Sequence, residues 1–112
     1  MNKIRSIESF ENLQSILTEN TIVLLYFSTS SCSVGEALEP KVRNLISTKF
    51  PEIVFYTVDI NFLPDISAKY SAFVEPTILV FFYGKETIRK SRNIGVYELQ
   101  EAIEKRYKLI FD

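Results

Sequence analysis

The sequence predicts an α/β protein whose mixed sheet carries helices on both faces. The first sign is alternation: apolar, strand-like runs take turns with amphipathic helical segments along all 112 residues. The second is punctuation. Only three glycines occur, and no linker, low-complexity tract or repeat divides the chain, so one domain over 1–112 is expected. Residues 2–6 read as a short first strand. Ile7, Phe10, Leu13, Ile16 and Leu17 then follow helical spacing, with Ser6 as the expected N-cap. Residues 21–27 form a continuous apolar run without alternation, so both faces of that strand should be covered. Residues 28–33 are small and hydroxyl-rich, a loop. Leu38, Val42, Leu45 and Ile46 mark one face of a helix that reaches about Lys49. Pro40 lies inside it and removes one backbone donor, which predicts a kink near Glu36. Residues 53–59 read as a second buried strand, and Pro64 opens a short helix to Tyr70. Residues 77–83 read as a third strand, buried at 81–83 on at least one face, Gly84-Lys85 as the turn, and 86–93 as a charged strand running back. Val96, Leu99, Ala102, Ile103 and Tyr107 line the last helix. The expected order is βαβαβαββα, with five strands.

Composition excludes several functions. Lysine and arginine number 13 against 14 acidic residues, a net charge of −1, so no polycationic nucleic-acid surface is present. Histidine is absent and cysteine occurs once, which excludes an internal disulfide, a four-ligand zinc site and histidine acid–base catalysis. No apolar run approaches the roughly 20 residues of a membrane helix. The N-terminal residues lack the apolar stretch of a signal peptide, so a reducing cytoplasm is the expected location.

One group of residues carries a family resemblance. Val23-Leu24-Leu25-Tyr26-Phe27 leads into a loop and then Cys32-Ser33-Val34-Gly35, and Pro40 lies eight positions after Cys32. Val58-Asp59-Ile60-Asn61, Lys69-Tyr70, Val74-Glu75-Pro76-Thr77-Ile78-Leu79-Val80-Phe81, Gly84-Lys85 and Gly95 follow. In this order they resemble the thioredoxin family over nearly the whole chain. The resemblance implies the thioredoxin fold, a cis-proline at Pro76, and a substrate groove bordered by Ser31, Glu75, Pro76 and Gly95. It also marks departures. The family motif Trp-Cys-Gly-Pro-Cys reads Ser31-Cys32-Ser33-Val34-Gly35 here, so Gly35 stands where the resolving cysteine would be. Tyr26 takes the place of the family's buried aspartate, Thr57 of a lysine, and Glu36 of the lysine after the motif. The motif of cluster-binding monothiol glutaredoxins, Cys-Gly-Phe-Ser, is not matched, and no cofactor or metal is expected.

Chemistry then rests on Cys32. Attack on a disulfide needs the thiolate. The expected position at a helix start favours it through the unpaired N–H groups of Ser33, Val34 and Gly35. Glu36 and Glu75 oppose it as like charges, and the nearest following base is Lys41. Without a second sulfur, a mixed disulfide on Cys32 needs an external thiol, such as a low-molecular-weight one, to resolve it. The expected function is therefore monothiol thiol–disulfide exchange with protein thiols or disulfides. The alternative is a non-catalytic module that binds extended peptides in the same groove. A dimer linked through Cys32 is a third expectation. Tyr26 reads as a core filler, Asp59 as a strand terminator, and Lys85, Arg89, Lys90 and Arg92 as charges protecting a sheet edge.

Overall fold

A computed structural model of the chain describes residues 5–29 and 33–111, without the side chains of residues 33–36. Its elements in order are α1 (Phe10–Glu19), β1 (Ile22–Ser28), α2 (Ser33–Lys49), β2 (Ile53–Asp59), α3 (Pro64–Lys69), β3 (Thr77–Phe82), β4 (Lys85–Ser91) and α4 (Val96–Phe111). The sheet has strand order β2-β1-β3-β4. β1 runs parallel to β2 and antiparallel to β3, and β3 runs antiparallel to β4.

The non-alternating run in β1 does what its composition requires. Ile22, Leu24 and Tyr26 face a core built with Val42, Leu45 and Ile46 of α2 and Leu99 and Ile103 of α4. Val23, Leu25 and Phe27 face a second core with Leu13 and Ile16 of α1 and Ile66 of α3. All six strand residues are at most 1% exposed. At roughly 25 cal/mol per Å² of buried apolar surface, each contributes about 2 kcal/mol before entropy is counted. Leu38 packs beside Val42 at the margin of the first core.

The first expected strand is not a strand among the described residues, so four strands stand where five were expected. What remains is one parallel bridge between Ser6 and Thr57. The Ile7 N–H donates to the Thr57 carbonyl at 2.9 Å, and the Thr57 N–H to the Arg5 carbonyl at 2.8 Å. Ser6 is thereby taken up by the sheet edge and does not cap α1. Ser9 does so instead, its hydroxyl accepting from the Asn12 N–H at 3.0 Å while the Asn12 side chain accepts from the Glu8 N–H at 3.0 Å.

Three further expectations shift. β2 is an edge strand and is only half-buried from Val54 to Thr57, because its outer flank meets the chain only at that bridge. The hairpin turn is Tyr83-Gly84, since Phe82 and Lys85 still pair. Both turn residues carry positive φ, +55° and +80°, as a two-residue hairpin loop of the primed type requires. β4 ends at Ser91 and buries only Ile88. Its Arg89 pairs with Glu86 at 2.9 Å and donates to the Tyr70 and Ser71 carbonyls, pinning the α3–β3 connection.

Tyr70 packs edge-on against Phe81 at 5.4 Å. Burial, and secondarily the Glu86 carboxylate, raise its phenol pKa above 10.0. The folded state therefore favours the neutral phenol more than the unfolded chain does. That stability is fully present below the unfolded pKa of about 10 and is lost as pH rises through the folded value. Urea unfolding followed from pH 9 to 11 should show a decline in stability that Tyr70→Phe makes shallower. In the core, Leu25→Ala should cost about 3 kcal/mol in the same measurement at pH 7.

Candidate functional site

The strand ends bring two distant segments together. In the β1–β3 pairing Phe27 lies opposite Thr77, and Tyr26 opposite Ile78. Continued two residues past Phe27, that register sets Thr29 opposite Glu75. The hydrogen bonds follow. The Thr29 N–H donates to Glu75 Oε2 at 2.6 Å, and the Thr29 hydroxyl meets both carboxylate oxygens at 2.9 Å. Thr29 is 9% exposed and Glu75 half-buried, so this clamp is partly withdrawn from water. Charge-assisted bonds of this kind are about twice as strong as neutral ones.

Glu75–Pro76 is a cis peptide, and Pro76 is buried at the head of β3. The Thr77 hydroxyl donates to the Val74 carbonyl, closing the turn. The Pro76 carbonyl accepts from the Arg92 N–H at 3.0 Å, which ties the β4–α4 connection to the same spot. Gly95 precedes α4, and its carbonyl accepts the Leu99 N–H at 3.0 Å. Ser31 and Cys32 lie outside the described residues. Ser33, Val34 and Gly35 supply the first turn of α2, so the helix begins one residue after Cys32. Of the expected site, Glu75, Pro76 and the start of α2 are positioned by the ends of β1 and β3.

The ground beneath is hydroxylic and aromatic. Tyr26 is fully buried and stacks on Phe55 with ring centres 6.1 Å apart, as a core residue does. Thr57 spends its hydroxyl on Ser6, at 3.0 Å, and on the Arg5 carbonyl. Asp59 accepts from the Asn61 and Phe62 N–H groups at 2.9 and 3.1 Å, closing the end of β2 as its sequence position suggested. A cavity of about 730 Å³ opens beside these residues, with Ser28, Thr29, Glu39, Asp59 and Phe62 in its walls. Glu39 is held there by Arg43 at 2.7 Å. Among the described residues no group of three side chains is arranged to hold a metal ion.

Thr29 was not singled out by the sequence, where it is one hydroxyl residue among several. The only signal for it is the β1–β3 register, which no local pattern reveals. Its pairing with Glu75 should appear as thermodynamic coupling. A double-mutant cycle of Thr29→Val and Glu75→Ala, read by urea unfolding, should return an interaction of about 1 kcal/mol. Additivity of the two changes would mean the clamp contributes nothing.

The thioredoxin family profile matches residues 4–105. The thioredoxin-like protein YdfQ of Bacillus subtilis is 22% identical over 109 residues, covering 97% of this chain and 96% of its own length. The X-ray structure of Fasciola hepatica thioredoxin is 28% identical and superposes with a TM-score of 0.82, covering 91% of this chain and 98% of the other. Trypanosoma brucei brucei thioredoxin, at 21% identity, superposes with a TM-score of 0.82 over 95% of this chain and 92% of its own, a likeness of fold. With the sheet order, the cis-proline strand and a family match over nearly its whole length, the chain belongs to the thioredoxin family.

Proposed function

We propose that this thioredoxin-like protein serves cell redox homeostasis in the cytoplasm by monothiol exchange through Cys32. The observation that carries the reading is the position of the only cysteine, one residue before a 17-residue helix. The first N–H groups of a helix have no acceptor within it, and its dipole favours an anion there. In this reading the N–H groups of Ser33, Val34 and Gly35 stabilise the thiolate. Ser31, Glu75, Pro76 and Gly95 border the groove that receives an extended segment of the protein partner.

The chemistry has two steps. The Cys32 thiolate attacks one sulfur of a mixed disulfide between a protein cysteine and a small thiol. A sulfur–sulfur bond forms to the small thiol, and the protein cysteine leaves as a thiolate. An external thiol, as its thiolate, then attacks the small-thiol sulfur. It forms a small-molecule disulfide and returns Cys32 as a thiolate. The protein sulfur is thereby reduced from the disulfide to the thiol level, the external thiol's sulfur is oxidised to the disulfide level, and the small-thiol sulfur stays a disulfide sulfur throughout. With Gly35 in place of a second sulfur, no step closes within the chain.

Glu75 acts on the first step through its charge. Its clamp partner Thr29 is three residues from Cys32, a span of at most about 11 Å along the chain. A fixed carboxylate at that distance opposes the thiolate modestly, about 1 kcal/mol or less at the surface. The helix start is expected to outweigh it.

Alkylation of Cys32 as a function of pH, with Cys32→Ser as the blank, tests the balance. A midpoint at or below about 7 is expected, and Glu75→Gln should move it lower. A midpoint at the free-thiol value of about 8.5 would count against exchange and favour the non-catalytic peptide-binding module. Turnover of a protein mixed disulfide, dependent on added thiol and absent in Cys32→Ser, completes the test.

A further inference from the structure

We propose that the cleft between α2 and the β4–α4 connection binds the carboxylate of the small external thiol that releases Cys32. This rests on the monothiol reading and adds the chemical class of the co-thiol. The cleft measures about 660 Å³, within the range of small-molecule sites. Leu38 and Ile94 give it apolar surface, while Lys41 on α2 and Arg92 on the facing connection give it two positive charges.

Those two cations, like most of the described ones, are not spent in ion pairs. Arg43 is held by Glu39, Arg89 by Glu86, and Lys108 lies 3.8 Å from Glu104. Among the described residues Lys41 and Arg92 take part in no ion pair. The carboxylate at the cleft is that of Glu98, and it is turned back on its own helix. Its Oε1 lies 2.8 Å from where a β-carbon on Gly95 would stand. Two cations on opposite walls with an apolar floor suit a short carboxylate chain. Arginine meets such a group with a two-pronged fork and lysine as a point charge.

Arg92 is also held in an unusual backbone state. Its φ is +64°, a region where a β-carbon is crowded and glycine is the usual occupant. Its N–H is fixed on the Pro76 carbonyl at 3.0 Å. The side chain is thus carried from a backbone anchored on the groove itself. On the other wall, Lys41 lies eight residues past Ser33, about 12 Å along the helix axis, and a helical side chain leans toward the helix start, so its four-carbon stem can bring the ammonium back by about 6 Å. A thiol bearing its carboxylate two or three bonds from sulfur is of a size to reach between the two. In the releasing step the carboxylate is held by Lys41 and Arg92. The thiol gives its proton to solvent, and its sulfur attacks the small-thiol sulfur of the Cys32 mixed disulfide. That bond forms, the bond to Cys32 breaks, and Cys32 leaves with the electron pair.

The test compares 3-mercaptopropionate with 2-mercaptoethanol. Each is added to the full chain carrying a Cys32 mixed disulfide with 2-mercaptoethanol, and recovery of the free thiol is followed by mass. Every rate is divided by that of the same chain unfolded in urea, which removes the intrinsic difference between the thiols. The folded chain should favour the acid by about fivefold, as two solvated ion pairs allow. Lys41→Gln with Arg92→Gln should abolish the preference, and Arg92→Lys should keep part of it. Exchange with no preference for the acid would overturn the proposal and leave the monothiol reading standing. Failure of both thiols to act would sink the monothiol reading. The cleft is then judged in Cys32→Ser by titration with 3-(methylthio)propionate. Shifts of the Asn93 and Gly95 amide resonances that vanish in the double glutamine variant would uphold a carboxylate site, and their absence would overturn it.

Discussion

β1 is the constraint on which the other elements depend. It is buried on both faces and hydrogen-bonded on both edges, to β2 in parallel and β3 antiparallel. Because side chains alternate along a strand, each residue is assigned to one core: Ile22, Leu24 and Tyr26 toward α2 and α4, Val23, Leu25 and Phe27 toward α1 and α3. A slip of one residue would exchange the two sets, so the register is strongly fixed. The same register decides what stands at the strand's end. It sets Ser28 beside Asp59, and Thr29 beside Glu75.

The site inherits its electrostatics from that arrangement. Where β1 and β2 pair Tyr26 with Thr57, the sheet presents a phenol ring packed on Phe55 and a threonine engaged by the N-terminal segment. Neither offers a carboxylate or an ammonium at that depth. Charge enters from the rim instead. Glu75 is clamped on Thr29, Glu39 is neutralised by Arg43, and Lys41 and Arg92 stand on the far side of α2. Among the described residues, ionic influence on a sulfur at the helix start therefore acts from partly solvated positions, where it is weak beside the helix's own N–H groups.

Much of this was legible in the residues. The continuous apolar run of β1 announced burial on both faces, that of β3 a strand buried on at least one, and Pro64 the start of α3. What misled was pairing. The composition of β2 is that of a central strand, yet it forms an edge, because sheet position depends on which strands find each other and not on any strand alone. Ser6 has the chemistry of a cap, but its backbone is claimed by Thr57, and the role passes to Ser9 three residues later. The turn moved by one residue because Tyr83 accepts a positive φ usually left to glycine or asparagine. At the site, Glu75 and Pro76 were visible as neighbours of a family motif. Thr29 was not, since its importance comes wholly from a contact 46 residues away in sequence.

The two flanks of α2 are unlike in charge, and that difference bears on a one-sulfur mechanism. On the β2 side lies the larger cavity, with Glu8, Glu39 and Asp59 in its walls. On the α4 side lies the cleft with Lys41 and Arg92. A dithiol protein meets one sulfur partner from outside and finishes the reaction with its own second cysteine. In the proposed monothiol cycle, a chain with glycine at that position receives two outside partners in turn at one sulfur, a protein and a small thiol. Flanks of opposite sign sort small thiols by charge: an anion is repelled from the β2 side of the helix and drawn to the α4 side. The sorting rests on solvated charges, so it should fade as salt screens them over about 10 Å at 0.1 M. The acid preference would then decline with ionic strength while the rate with a neutral thiol holds.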